Sequence, residues 1–433
     1  MKGPPFRGSY LMKHMHKPSR AYFSTLPAKS QIQQSEEGMT PTSTSNRIHI
    51  LGQGNIGRLF AHGLATIPKP PPITLLFHRE SLLEEWKQAG ECITITDRGI
   101  PSTSRNYDIE IINSQDTDSK SSIMNLIVAT KTTKTLQAIS AVADRLSRDS
   151  TIMFTQNGMG TIEEVTESLF PYPGTRPTYT TATVYHGLFS TSPFSSVLPG
   201  KGKMALSHHL GTSSTPMSKS MLTQVRPPRL FDATVYQPNP GFTRRIAKLT
   251  ANAIINPLSV LFQKKNGELF ESHQICALMY LLIAEIDPVL FTYCDRSTKG
   301  NGDDKGNGDR AYIRSTWKGH VGTRFMTEDV LIAARRSAEN YSSMLQDVKA
   351  GRETEIDYIN GWLVKKGLEY GLDMSVNQKV IEMVKSNKKL ELEDIEPIFG
   401  QYHSTLDRGM SIRKEWELGY PPLRIRFKPE RKS

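Results

Sequence analysis

A short apolar run, RIHIL (residues 47–51), passes without a spacer into GQGNIG (52–57) and then into a helical pattern, RLFAHGLAT (58–66). No other segment narrows the fold so far. In this spacing Gly52 permits a tight turn, Gly54 lets the backbone approach a pyrophosphate, and Gly57 lets the helix pack close to the strand. The helix start then presents free N–H groups and the positive end of its dipole. The expected ligand is a dinucleotide held by Gly52, Gln53, Gly54, Asn55, Ile56 and Gly57; an unliganded glycine-rich turn is the competing reading.

The segments that follow repeat the alternation. ITLLFHR (73–79), MNLIVAT (124–130) and STIMFTQ (150–156) read as buried strands. SLLEEWKQAG (81–90) and TLQAISAVADRLS (135–147) read as helices, the first with a serine N-cap and a glycine after its end. Alternating strand and helix implies an α/β fold with a doubly wound parallel sheet. From 187 to 240 the chain is rich in Ser, Thr, Pro and Gly, and we expect the last strands of the sheet there, separated by long loops. After 241 the pattern is helical: 251–265, 272–291, 328–351, 355–371 and 377–386. The expected organisation is a leader over 1–45, a nucleotide domain over 46–240, an all-α domain over 241–425 and a basic tail over 426–433. The polar, low-complexity segment 296–310 reads as a disordered insertion.

Charge and targeting signals point to a compartment. The chain carries a formal net charge of +11, of which residues 1–45 hold +4, with no acidic residue before Glu36. That leader is basic and contains SRAYFST (19–25), the composition of a mitochondrial transit peptide. A mitochondrial matrix location is therefore expected, with the cytoplasm as the alternative. The remaining positive charge suits an anionic small molecule and makes nucleic acid a secondary reading. Cys92, Cys276 and Cys294 are far apart and lack metal-ligand spacing. The apolar stretch 275–291 is interrupted by Glu285 and Asp287 and reads as too short and too charged to span a membrane.

Lys248, Asn252 and Asn256 recur every four residues in KLTANAIINPLS. On a helix that step stacks one ammonium and two carboxamides on one face, among apolar neighbours. The stripe lines a pocket or else is a solvated face. At the nucleotide end, an acid commonly follows the second strand of NAD binders, whereas this chain has His78 and Arg79. Arg79 is suited to a 2′-phosphate, which favours NADP (NADPH), although Glu80 follows it. Lys131 and Asn157 lie just beyond two other strands, at the sheet edge where ligands bind.

ILGQGNIG (50–57), QNGMGTIEE (156–164), KLTANAIINPL (248–258), NGEL (266–269) and ENYSSMLQDVKAGRETEIDYINGWL (339–363) together resemble the ketopantoate reductase (2-dehydropantoate 2-reductase) family. The matches run in family order over most of residues 47–390, and the two long C-terminal segments are the most specific. The resemblance implies a Rossmann domain followed by a helical domain, with the active site between them. It implies NADPH-dependent reduction of ketopantoate to pantoate, on the way to pantothenate and coenzyme A. Lys248 then matches the catalytic lysine, and Glu355 a cleft carboxylate near substrate and cofactor. Asn157, Asn252, Asn256, Asn266, Asn340 and Ser343 match substrate-holding positions. Arg79, Lys131 and Asn157 match cofactor contacts, and Tyr185 falls near a cofactor-contacting turn. A homodimer is plausible for such a chain. Alternatives are a reductase of another branched 2-keto acid, and a non-catalytic mitochondrial protein that binds RNA or protein through its basic surface.

Overall fold

A computed structural model of the chain describes residues 46–112, 121–200, 202–297 and 323–402. The leader, the basic tail and nearly all of the 296–310 insertion lie outside the described residues.

Why the first strand is buried is legible in its composition. Ile48–Leu51 (β1) is apolar except for His49, is buried along its whole length, and is enclosed by neighbours on either side, Ile73–Phe77 (β2) and Asn125–Val128 (β6). Ile48 and Ile50 are fully buried, as expected when helices cover both faces of a parallel sheet. The sheet extends through Thr151–Phe154 (β7), Thr178–Val184 (β8), Met204–His208 (β11), Ala233–Tyr236 (β12) and, at the far edge, Asp108–Ile111 (β5). Its order is β12-β11-β8-β7-β6-β1-β2-β5. Every pairing from β5 to β8 is parallel, and β11 runs antiparallel to β8. Asn55–Ala65 (α1), Glu80–Gln88 (α2), Thr132–Ser140 (α3) and Thr161–Leu169 (α4) are the intervening helices.

Several expectations need correction. The helix expected over 135–147 starts earlier, at Thr132, and stops at Ser140; a 3-10 turn at Ala143–Arg145 follows. The 187–240 stretch is not merely strands and loops. Gly187–Ser192 (β9) and Ser195–Gly200 (β10) join Ile93–Asp97 (β3) and Ile100–Ser104 (β4) in a second sheet, ordered β4-β3-β10-β9, that packs on α1. Pro216–Val225 (α5) is a helix, started by a capping box between Thr215 and Ser218 with Pro216 at its first position.

The C-terminal part is helical. Pro238–Phe262 (α6) contains Pro257, which has no N–H to give to the carbonyl of Ala253. The Asn360 Nδ2 group takes that carbonyl instead, at 2.8 Å, so the helix continues through the proline. His273–Ser297 (α7) is 25 residues long, longer than its apolar stretch suggested, and its length and composition alone would allow a membrane crossing. It is instead packed as a core helix, with Leu278, Leu282, Ile286 and Leu290 fully buried. Its Glu285 accepts the backbone N–H groups of Val376 and Asn377 at 2.8 and 2.9 Å, capping the helix Ser375–Lys385 (α11). The single helix expected over 328–351 is two, Thr323–Arg336 (α8) and Ser343–Lys349 (α9). Ser342 caps α9 by accepting from Leu345 N at 3.0 Å, and in the intervening loop the Ala338 and Asn340 carbonyls accept from the backbone N–H groups of Gly267 and Asn266. Glu355 likewise lies outside a helix, before a 3-10 turn (Ile356–Tyr358) and Asn360–Glu369 (α10).

The glycine turn makes a sharp prediction. A Cβ on Gly57 would lie 1.8 Å from the Gly52 carbonyl oxygen, whereas a Cβ on Gly54 meets nothing within 4 Å. Gly57→Ala should therefore cost about 3 kcal/mol or more in denaturant unfolding. Gly54→Ala should leave the unfolding midpoint nearly unchanged.

Candidate active site

Parallel strands bring their carboxyl ends to one edge, and ligands of open α/β sheets bind there. Along this edge lie the glycine loop after β1, Arg79 after β2, Lys131 after β6, Asn157 after β7, and Val184 with Tyr185 at the end of β8. Helix α6 packs across β8, β11 and β12 and delivers Lys248 to the same edge.

The glycine loop has the shape the spacing predicted. Gly52 sits at φ +103°, and a Cβ there would be 2.7 Å from the Ala129 carbonyl carbon and the Thr130 nitrogen. Gly54 is the N-cap of α1, with open space beside it. That opening, at a helix N-terminus, fits the pyrophosphate of a dinucleotide. Gln53 is buried and turned inward, donating to Ile50 O at 3.1 Å, and Ile56 is half-buried. The Asn55 side chain is committed elsewhere: its Oδ1 accepts from Ser190 and Ser196, both at 2.8 Å, and its Nδ2 donates to Leu188 O. It fastens the β9–β10 hairpin to the loop, which leaves only its backbone for a ligand.

Two of the cations are paired within the protein. Arg79 donates to Glu85 at 2.7 Å and also to Ser81. Its side chain is 46% exposed, so that ion pair contributes about 0–1 kcal/mol and yields readily to a competing anion. Lys131 pairs with the buried Asp347 at 2.6 Å, and Asp347 also accepts from Arg352 at 3.0 Å. This contact joins the start of α3 to α9.

The centre of the site is Glu355, a buried carboxylate held from three directions. One oxygen accepts from the Thr132 backbone N–H at 3.1 Å and its hydroxyl at 3.0 Å. The other accepts from Asn157 Nδ2 at 3.1 Å. Thr132 is the first residue of α3, so the carboxylate also meets the positive end of that helix. Lys248 donates to the Val184 carbonyl and lies over the Tyr185 ring, 5.7 Å from its centroid. Burial lowers the Lys248 pKa from its ordinary value to about 8, and the nearby charge of Glu355 opposes part of that drop. An ammonium in this state is a competent proton donor near neutral pH.

The remaining predicted residues divide. Asn252 is half-buried and Asn256 buried, and neither side chain has a hydrogen-bond partner among the described residues. Asn266 is buried and donates to Ser337 at 3.0 Å, so it fastens the loop before α9. That loop places Asn340, whose Nδ2 lies 3.5 Å from where a Cβ of Gly187 would be. Ser343 is exposed at the first position of α9, while its neighbour Ser342 is locked to Ser259 of α6. Sequence reasoning missed Thr132 and Asp347. A threonine opening a helix is a weak cue for Thr132; nothing local marks Asp347.

Comparison with known proteins identifies the family and the fold. The family model described as ketopantoate reductase PanE/ApbA matches residues 48–211, and its C-terminal counterpart matches residues 242–388. The probable 2-dehydropantoate 2-reductase of Schizosaccharomyces pombe is 28% identical over 351 residues, covering 79% of this chain and 96% of that one. The ketoisovalerate reductase BEA2 of Gibberella fujikuroi is 27% identical over 389 residues, covering 81% and 86%. The crystal structure of the probable 2-dehydropantoate 2-reductase panE from Bacillus subtilis superposes with a TM-score of 0.59, at 24% identity, over 79% of this chain and 100% of that one.

Proposed function

Because the chain belongs to the ketopantoate reductase family, whose members are oxidoreductases acting on CH–OH groups, we propose that it reduces the 2-keto group of ketopantoate to pantoate with NADPH. The observation that carries this reading is the Lys248 ammonium, held on the Val184 carbonyl at the carboxyl edge of the sheet, where burial lowers its pKa to about 8 and the charge of Glu355 acts on it. A bound nicotinamide supplies the hydride. Lys248 stabilises the charge that grows on the carbonyl oxygen and delivers the proton that completes the hydroxyl. Asn252 and Asn256, one and two turns further along α6, offer unused amides to the polar groups of the acid. Glu355 holds Asn157 against the start of α3, and Asn157 faces substrate and cofactor.

NADPH is supported by Arg79, the exposed guanidinium after β2. Arg79→Ala should raise the KM for NADPH roughly 10- to 100-fold, the value of a charge-assisted contact, and leave that for NADH unchanged. In this proposal the enzyme works in mitochondria, brought there by residues 1–45, and pairs as a homodimer.

A second substrate reading has its own support, since relatives named for ketopantoate and for ketoisovalerate are similar to this chain to nearly the same degree. The test is NADPH oxidation by the purified chain with each acid in turn. Faster turnover of ketopantoate is expected. Preference for ketoisovalerate would move the substrate but keep the chemistry. Turnover of neither, together with salt-sensitive RNA binding, would favour the non-catalytic reading.

A further inference from the structure

We propose that Arg245 is a positioning residue of the site, fixing the loop that carries Asn157; the proposal rests on the reductase reading. Arg245 precedes Lys248 by three residues on α6 and so shares its face of the helix. Its guanidinium does not reach into open solvent. Nη2 donates to the Gly158 carbonyl at 3.3 Å, and Nη1 is enclosed with no hydrogen-bond partner among the described residues. Glu163, in the first turn of α4, has an equally enclosed and unpartnered Oε2, and its charge acts on Arg245. The histidine beside them, His209, is pushed down to about 4 by burial and then by Arg245, so it is neutral and adds no competing charge.

Gly158 is pinched from the other side as well. It sits at φ +75°, a Cβ there would lie 2.2 Å from the Tyr358 carbonyl oxygen, and Met159 N donates to that same oxygen at 2.9 Å. Tyr358 follows Glu355 by three residues. The loop is thus clamped between the Glu355 segment and Arg245, and Asn157, immediately before Gly158, is the residue whose amide reaches Glu355. A planar guanidinium can hold a carbonyl and face a carboxylate at once, which an ammonium at the end of a shorter reach does not reproduce. Arg245 therefore couples the helix of Lys248 to the loop of Asn157. The reach of that coupling is the orientation of one amide; Arg245 itself touches no reacting atom.

The experiment is a double-mutant cycle on the full chain, with Arg245→Met, Asn157→Ala and the pair. Both NADPH affinity by nicotinamide fluorescence and kcat/KM for the keto acid are read. Arg245→Met should lower kcat/KM roughly tenfold in the wild-type background and change it less than about twofold once Asn157 is gone. The loss should fall on kcat more than on the KM for the keto acid, and Arg245→Lys should recover part of it. If Arg245→Met does not fold, Arg245→Lys, which keeps a cation beside Glu163, carries the cycle. Losses that multiply independently would overturn the proposal. A wild type that binds NADPH but reduces neither acid would sink the reductase reading alone, and the affinity cycle would still decide the role of Arg245. A wild type that does not bind NADPH would overturn both.

Discussion

Replacing Lys248 with alanine is expected to lower kcat/KM roughly 10²- to 10⁴-fold, the range for losing a general acid that also stabilises an oxyanion. The protein should remain folded. The ammonium is partly buried and makes one hydrogen bond, to the Val184 carbonyl, so its removal leaves no large void. Linkage gives the sign for stability. The folded-state pKa of about 8 lies below the ordinary lysine value, so the unfolded chain binds more protons between the two. Stability contributed at this position therefore rises as pH increases from about 8 towards the ordinary lysine value. Lys248→Ala should remove that rise, which chemical denaturation at a series of pH values will register.

Replacing Glu355 with alanine is expected to damage both stability and rate. The Thr132 backbone N–H, its hydroxyl and the Asn157 amide would all lose their acceptor inside the protein. Leaving buried donors unpaired costs about 1–3 kcal/mol each, softened where water can enter the space of the lost side chain. The start of α3 also loses a carboxylate at its positive end. Catalysis suffers twice. Asn157 is no longer oriented, and Lys248 loses the charge that opposes its pKa depression. A fall in kcat/KM of roughly 10²-fold is expected, together with a move of the alkaline limb to lower pH. A variant with reduced thermal stability but an unshifted limb would show that Glu355 supports the fold and not the lysine.

Much of this arrangement is visible in the residues, for identifiable reasons. Strands buried on both faces are continuous apolar runs, so β1, β2, β6 and β7 stand out, and the three glycines fix the turn that follows. The four-residue step in KLTANAIINPL places Lys248, Asn252 and Asn256 on one face of α6. The second sheet did not stand out, because its strands are half-exposed and rich in Ser and Thr; β4 and β9 are mostly solvent-facing. The break between α8 and α9 was hidden because Ser337 to Ser342 carry no Pro or Gly. Its cause is distant: Asn266 and Gly267 draw the carbonyls of Asn340 and Ala338 out of the helix. The same limit applies to Glu355 and Lys131. Their partners, Thr132 and Asp347, are more than 200 residues away in the chain, and only the docking of the helices on the sheet edge brings them together. Asn55 shows the reverse case, a residue of the nucleotide motif whose side chain is recruited by hairpin serines 135 and 141 residues later.

The measurement that bears most directly on this account is the pH profile of kcat/KM for NADPH-dependent keto-acid reduction, recorded from about pH 6 to 10. Lys248 acting as the proton donor predicts a single-proton fall above about pH 8, lower than an ordinary lysine would give and absent from the residual activity of Lys248→Ala. A profile that stays level to pH 10, or an alkaline limb that survives in Lys248→Ala, would contradict it.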